Sequence, residues 1–169
     1  MKQREKDSYL DFIRQRSGPL YRSACMLTGG DTYLAEDLVQ ETLGRMYTAW
    51  GKRKCIENPA GYAQTVLVRC YLTHRRRRSS SEQPVLSLPE RPERAADAPL
   101  RVTLLQALSA LPPQDRAVLV LRYWEDLSIE QTASMMRTSS SAVRTRSSRA
   151  LAKLRERLGS TGFTELTAQ

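Results

Sequence analysis

Of the residues whose types could do chemistry, His74 and Cys70 come first: four positions apart, they share a helix face on which a zinc ion can be pictured. His74 is the sole histidine, and the remaining cysteines, Cys25 and Cys55, are distant in sequence, so the pair reads as helix packing. Serines are plentiful, yet a lone histidine near a buried-looking cysteine gives no base and nucleophile, and no glycine-rich phosphate loop is present. A metal-dependent nuclease requires convergent carboxylates beside a basic groove, whereas Asp37 and Glu41 look aimed at a partner. The expectation is a chain without catalysis, cofactor or metal.

Cations are what the sequence supplies in quantity. Net charge is +9, and the excess is uneven: residues 1–78 hold 15 Lys/Arg against 8 Asp/Glu, residues 79–99 hold 2 against 4, and residues 100–169 hold 10 against 6. Two basic blocks around an acidic stretch favour a polyanionic partner such as nucleic acid. Three cysteines without close pairing fit a reducing cytoplasm, and no signal peptide or membrane-length apolar run is evident, so the chain is expected to be soluble and cytoplasmic.

Helices must position these charges, because apolar residues recur at three- and four-residue spacing. Tyr9, Phe12 and Ile13 mark one stripe; Leu20, Ala24 and Leu27 mark a second, with Pro19 read as a first-turn residue and Gly29-Gly30 as the stop. Asp31 caps a third helix with Leu38, Val39, Met46 and Trp50 on its apolar face, and Asn58-Pro59 opens a fourth that ends in Arg75 to Arg78. Residues 79–99 are proline-rich with little apolar pattern and read as a flexible linker between a domain over 1–78 and a domain over 100–169. In the second, Leu104, Leu108 and Leu111 precede Pro112-Pro113; the next helix carries Val118, Leu119, Leu121 and Tyr123 to Trp124. Ser128 and Gln131 form a capping box, Arg137-Thr138 a turn, Ser139 a second cap, and a long helix follows to about Leu158 with a frayed tail over 159–169. The fold class is all-α.

The pair of helices from Ser128 to Leu158 has helix-turn-helix proportions, and the second is the reader. Ser140, Ser141, Arg144, Thr145, Arg146 and Arg149 are its candidate DNA contacts, since arginine forks match guanine acceptors or phosphate oxygens; Lys153, Arg155 and Arg157 add backbone contacts at most. The alternative is a solvated basic helix.

The run Ala107 through Leu119, then Arg122-Tyr123-Trp124-Glu125-Asp126-Leu127-Ser128, Val143-Arg144-Thr145-Arg146 and Ser148-Arg149-Ala150-Leu151, resembles the C-terminal domain of extracytoplasmic-function sigma factors of bacterial RNA polymerase. Leu27-Thr28-Gly29, Ala35 through Thr42, Trp50, and Asn58-Pro59 through Tyr62 are similar to the N-terminal domain of the same group. The resemblance covers about residues 6–157. Departures are Arg137 and Ser141 where relatives often carry glycine, Ser147 where an apolar residue is usual, and Arg69 where asparagine is common. Arg137 also falls at a left-handed turn position, which costs a non-glycine residue about 1 kcal/mol.

The resemblance implies a sigma factor with three kinds of surface. Asp37, Gln40 and Glu41 share a helix face and would dock on the clamp helices of the largest polymerase subunit; the helix dipole accounts for Asp37 better than for Gln40 or Glu41. Lys52, Arg53, Lys54, Asn58, Arg69, Arg75 and Arg76 would contact the −10 element, and the helix-turn-helix would read the −35 element. Trp50 is read as core. Expected partners are core RNA polymerase, including the flap of its second subunit, and promoter DNA; an anti-sigma factor is a further candidate, and a membrane is not expected. The competing readings are an autonomous helix-turn-helix regulator, a nuclease and a helical adaptor for an acidic protein.

Overall fold

The computed structural model describes residues 2–52, 56–80 and 98–167. These residues form helices joined by short turns, with no strand among them. Helices α1 (Gln3–Thr28), α2 (Thr32–Trp50) and α3 (Pro59–Ser80) form the first domain. Helices α4 (Ala98–Ser109), α5 (Pro113–Leu119), α6 (Ile129–Met136) and α7 (Ser140–Thr167) form the second, and a π-helical turn, Val120–Trp124, extends α5. Most of the expected linker, residues 81–97, lies outside the described residues.

Local chemistry sets the helix ends. The Asp31 carboxylate accepts from the Leu34 N–H at 3.1 Å, which satisfies one donor at the start of α2. Ser128 and Gln131 close the expected capping box on α6 at 2.9 and 3.0 Å, and Ser139 accepts from Ala142 at 3.1 Å to start α7. At the end of α1, Gly29 is left-handed (φ 66°), and the Gly30 N–H returns to Cys25 O at 2.9 Å. Arg137 ends α6 in the same geometry (φ 53°), with the Thr138 N–H bonded to Ala133 O at 3.0 Å, so a bulky residue holds a position that suits glycine.

Three expectations about the elements change. Pro19 lies inside a single long α1 and does not open a second helix. Proline there removes one backbone hydrogen bond, but residues on both sides of it, Tyr9 and then Leu20, Ala24 and Leu27, are buried in the same core and keep the two halves collinear enough to pack. Tyr123 and Trp124 do not continue an apolar stripe: the π turn shifts the period, and both are about half exposed. The tail expected to fray stays helical to Thr167 beyond a break at Gly159 (φ 69°, ψ 173°).

The two domains share one core. Leu20, Ala24, Leu27, Leu38 and Leu67 of the first domain belong to the same buried cluster as Ala117, Val120 and Leu121 of the second. At Gly29 the two domains meet closely: a Cβ built there would stand 2.6 Å from Cβ of Ser109, so the αL turn and the contact with α4 both exclude a side chain.

Arg116 joins the domains. Its Nε donates to Leu108 O at 2.7 Å, Nη2 to Ser109 O and Leu111 O at 3.0 and 2.9 Å, and Nη1 to Leu27 O and Tyr71 Oη at 2.8 and 3.1 Å. All five guanidinium N–H groups are used. Three of the acceptors, Leu27, Leu108 and Ser109, are carbonyls at the C-terminal ends of α1 and α4, where helix dipoles favour a cation. Burial lowers the Arg116 pKa and raises that of Tyr71. Two more links cross the interface: the Ser23 hydroxyl donates to Glu125, and Arg69 Nε donates to Met135 O at 3.3 Å.

Candidate nucleic-acid interface

The reading helix is held from behind. Val143, Ala150 and Leu154 of α7 are buried, as expected from their spacing, with Val143 packed beside Val118 and Ala133. Ser141, Arg144, Thr145, Ser148 and Arg149 are exposed and recur at three- and four-residue steps, so they form one outward face. Ser140 is half-buried at the first turn. The Thr145 hydroxyl donates to Ser141 O at 3.1 Å, a local bond that fixes its rotamer while leaving the oxygen on the surface.

The basic residues of this helix fall into two kinds. Arg144 reaches outward with Glu130 of α6 3.9 Å away, both well exposed, which makes a weak, screened pair that DNA phosphate can displace. Arg146 instead points back to Asp115 of α5 at 3.2 Å, and the Asp115 side chain is only 4% exposed. That carboxylate is buried at the base of the helix-turn-helix and needs its cation, so Arg146 braces α7 against α5.

On the first domain the candidates are more scattered. Lys52 is exposed at the end of α2; Arg53 and Lys54 lie outside the described residues. Asn58 caps α3, its side-chain oxygen accepting from the Gly61 N–H at 3.0 Å. Trp50 is 3% exposed, with its ring tilted at 45° against Phe12 and edge-on to Tyr9, as core; Tyr62 is 41% exposed near the start of α3. Arg69, Arg75 and Arg76 follow along α3, but Arg69 is turned to the second domain and Arg75 lies over the Tyr71 ring at 5.7 Å.

The acidic face of α2 is present as drawn from the spacing: Asp37, Gln40, Glu41 and Gly44 are all exposed, and nothing stands within 4 Å of a Cβ built on Gly44. Glu41 pairs with Arg45 at 2.6 Å, and that hydrogen bond raises the Arg45 pKa. Beneath it, burial and then the charge of Glu41 push the Cys70 thiol up, which keeps it protonated and inert.

Sequence reasoning missed the structural roles of Asp115, Arg116, Arg45 and Glu125. Asp115 and Arg116 directly precede the apolar run Ala117 to Leu121, and a charged pair at the head of so short and apolar a segment was the available signal. No group of three metal-binding side chains occurs among the described residues, and no described helix is long and apolar enough to cross a membrane.

Two family models match the chain: sigma-70 region 2 over residues 12–81 and sigma-70 region 4 over residues 101–154. The chain is 36% identical over 153 residues to the RNA polymerase sigma-E factor of Streptomyces coelicolor, covering 88% of this chain and 84% of that protein. It is 30% identical over 167 residues to the ECF RNA polymerase sigma factor SigE of Mycolicibacterium smegmatis, covering 89% of this chain and 62% of that one. The solved sigma factor RpoE of Bartonella quintana, in complex with the anti-sigma factor NepR, superposes with a TM-score of 0.65 at 22% identity over 88% of this chain and 96% of that chain, a likeness of fold.

Proposed function

The chain belongs to the extracytoplasmic-function group of RNA polymerase sigma factors, and on that premise we propose how its surfaces divide the work. It binds core RNA polymerase and directs promoter-specific initiation by recognising −10 and −35 DNA elements. It works in the cytoplasm and performs no chemistry itself; binding energy selects the start site. The division into a −10 domain over 1–78, a linker over 79–99 and a −35 domain over 100–169 belongs to this reading.

The observation that carries it is the pairing of opposite surfaces on the two domains. The exposed face of α7, with Ser141, Arg144, Thr145 and Arg149, offers donors to base edges and phosphates; α2 offers the exposed acidic face of Asp37, Gln40 and Glu41. DNA repels the second face, so its partner is a protein: the clamp helices of the largest subunit, with the second domain on the flap of the next. Lys52, Arg53, Lys54, Asn58, Arg69, Arg75 and Arg76 serve the −10 side. Arg146 contributes through its brace on Asp115. RpoE of Bartonella quintana is held by an anti-sigma factor, and a protein of that kind is a further partner here.

Function requires the domains to part. Elements centred about 25 base pairs apart lie about 85 Å from each other along B-form DNA, at about 3.4 Å per pair. A folded chain of this length has a radius of gyration of about 15 Å, so the closed arrangement cannot meet both. A linker over 79–99 reaches about 70 Å when extended, which with the domains themselves closes the gap.

Core binding tests the reading. Asp37→Arg with Glu41→Arg is expected to weaken affinity for core polymerase by about ten- to a hundredfold while leaving the helical content and melting unchanged. Wild-type affinity in the double variant would return the acidic residues to the role of helix-dipole partners.

A further inference from the structure

A cleft of about 860 Å³ opens between the domains, walled by α2 and α3 on one side and by the α4–α5 connection, the α6–α7 turn and α7 on the other. Six arginines line it: Arg45, Arg69 and Arg75 with Arg76 from the first domain, Arg137 and Arg146 from the second. No carboxylate is among its described lining residues. Glu41 answers Arg45 and Asp115 answers Arg146 from outside the cleft, but Arg69 spends its Nε on a carbonyl, and Arg75 keeps a buried Nε with no acceptor. Arg137 is exposed at the rim in a strained left-handed conformation. Like charges gathered on two bodies weaken the contact between them, an anion placed between them strengthens it, and guanidinium forks suit phosphate oxygens. Leu72, Met135 and Met136 supply an apolar wall beside the charges, and the volume matches small-molecule sites.

We propose that this interdomain cleft binds a compact polyphosphate anion, which bridges Arg69 and Arg75 of one domain to Arg137 of the other and holds the chain closed. The consequence for promoters rests on the reading given under Proposed function: an occupied cleft covers Arg69, Arg75 and Arg76 and prevents the separation that two promoter elements demand. A compact chain of phosphates is preferred to a nucleic-acid strand because arginines of both domains line one volume of about 860 Å³, the size of a small-molecule site. The same chemistry is carried by inorganic polyphosphate and by nucleoside polyphosphates; the apolar wall of Met135 and Met136 favours the second source through contact with a base.

The test is calorimetric titration of the full free chain with inorganic tripolyphosphate and, separately, with ATP. One saturable site per chain is expected, with ATP the tighter ligand if the apolar wall takes the base and the two equal if it does not. Arg137→Gly, which removes one fork and suits the left-handed backbone, is expected to lower tripolyphosphate affinity about tenfold, while Lys153→Ala on the far part of α7 leaves it unchanged. Labels on the two domains should keep the short separation of the closed chain to a higher urea concentration when ligand is present than when it is absent. Non-saturating binding, equal loss in both variants, or displacement by a single-stranded oligonucleotide of equal charge at lower concentration would overturn the site. Promoter-dependent transcription by the reconstituted holoenzyme is scored independently. A chain that supports transcription but binds no tripolyphosphate defeats only the cleft; one that binds it and supports no transcription defeats only the promoter reading.

Discussion

The helix-turn-helix of α6 and α7 and the α2–α3 side of the first domain are both candidate DNA surfaces, yet they are built differently. In α6–α7 the helix ends and the base of the reading helix are secured within the second domain: a capping box on Ser128 and Gln131, a second cap on Ser139, and Arg146 on buried Asp115. Its outward face stays open to solvent. On α3 the basic residues are partly used elsewhere, since Arg69 bonds Met135 of the other domain and Arg75 lies over Tyr71. A reading face whose own residues make no contact with the other domain stays open whether the domains are joined or apart. A surface that shares its donors with a neighbouring domain becomes fully available only when that neighbour leaves.

Breaking the shared interface is expected to have the largest effect. Arg116→Met strands the carbonyls of Leu27, Leu108, Ser109 and Leu111, and loss of a buried charged donor of this kind costs about 3–5 kcal/mol. Urea unfolding should show the loss, with signals from both domains affected; an effect confined to the second domain would mean that the bonds to Leu27 and Tyr71 carry little. Next in size, Arg144→Ala is expected to cost about 1–3 kcal/mol at a matched −35 element and to relax preference at one or two base positions, measured with holoenzyme on single-base variants. The smallest effect belongs to Lys153→Ala, which should weaken binding evenly across sequences and lower the salt slope by about one unit at most. Equal, sequence-independent losses for Arg144 and Lys153 would pass the reading role to Ser140, Ser141 or Thr145.

The same contrast explains what was legible in the sequence. Caps and apolar spacing are local, so Asp31, Ser128, Ser139 and the buried set Val143, Ala150 and Leu154 could be placed from neighbours a few positions away. The left-handed Arg137 was readable for the same reason. The contacts of Arg116 with Leu27 and Tyr71, and of Arg69 with Met135, join residues far apart along the chain and leave no periodic trace. Pro19 misled because its local signal for a helix start was outweighed by core contacts on either side of it, and the π turn at Val120–Trp124 broke a period that spacing alone continues. Of the candidate contacts, the outward face of α7 followed from helical spacing, whereas the inward turn of Arg146 required the position of Asp115 on another helix.

Strand opening measures the central claim most directly. Permanganate reactivity of thymines in a pool of genomic promoter fragments should be compared for the free chain, for core polymerase alone and for the two together. The account predicts reactive thymines near the −10 element only in the reconstituted mixture, because each reading surface alone makes few base contacts and the free chain holds its domains closed. Tight sequence-specific binding by the free chain, with core polymerase adding no strand opening, would contradict it and leave an autonomous regulator in its place.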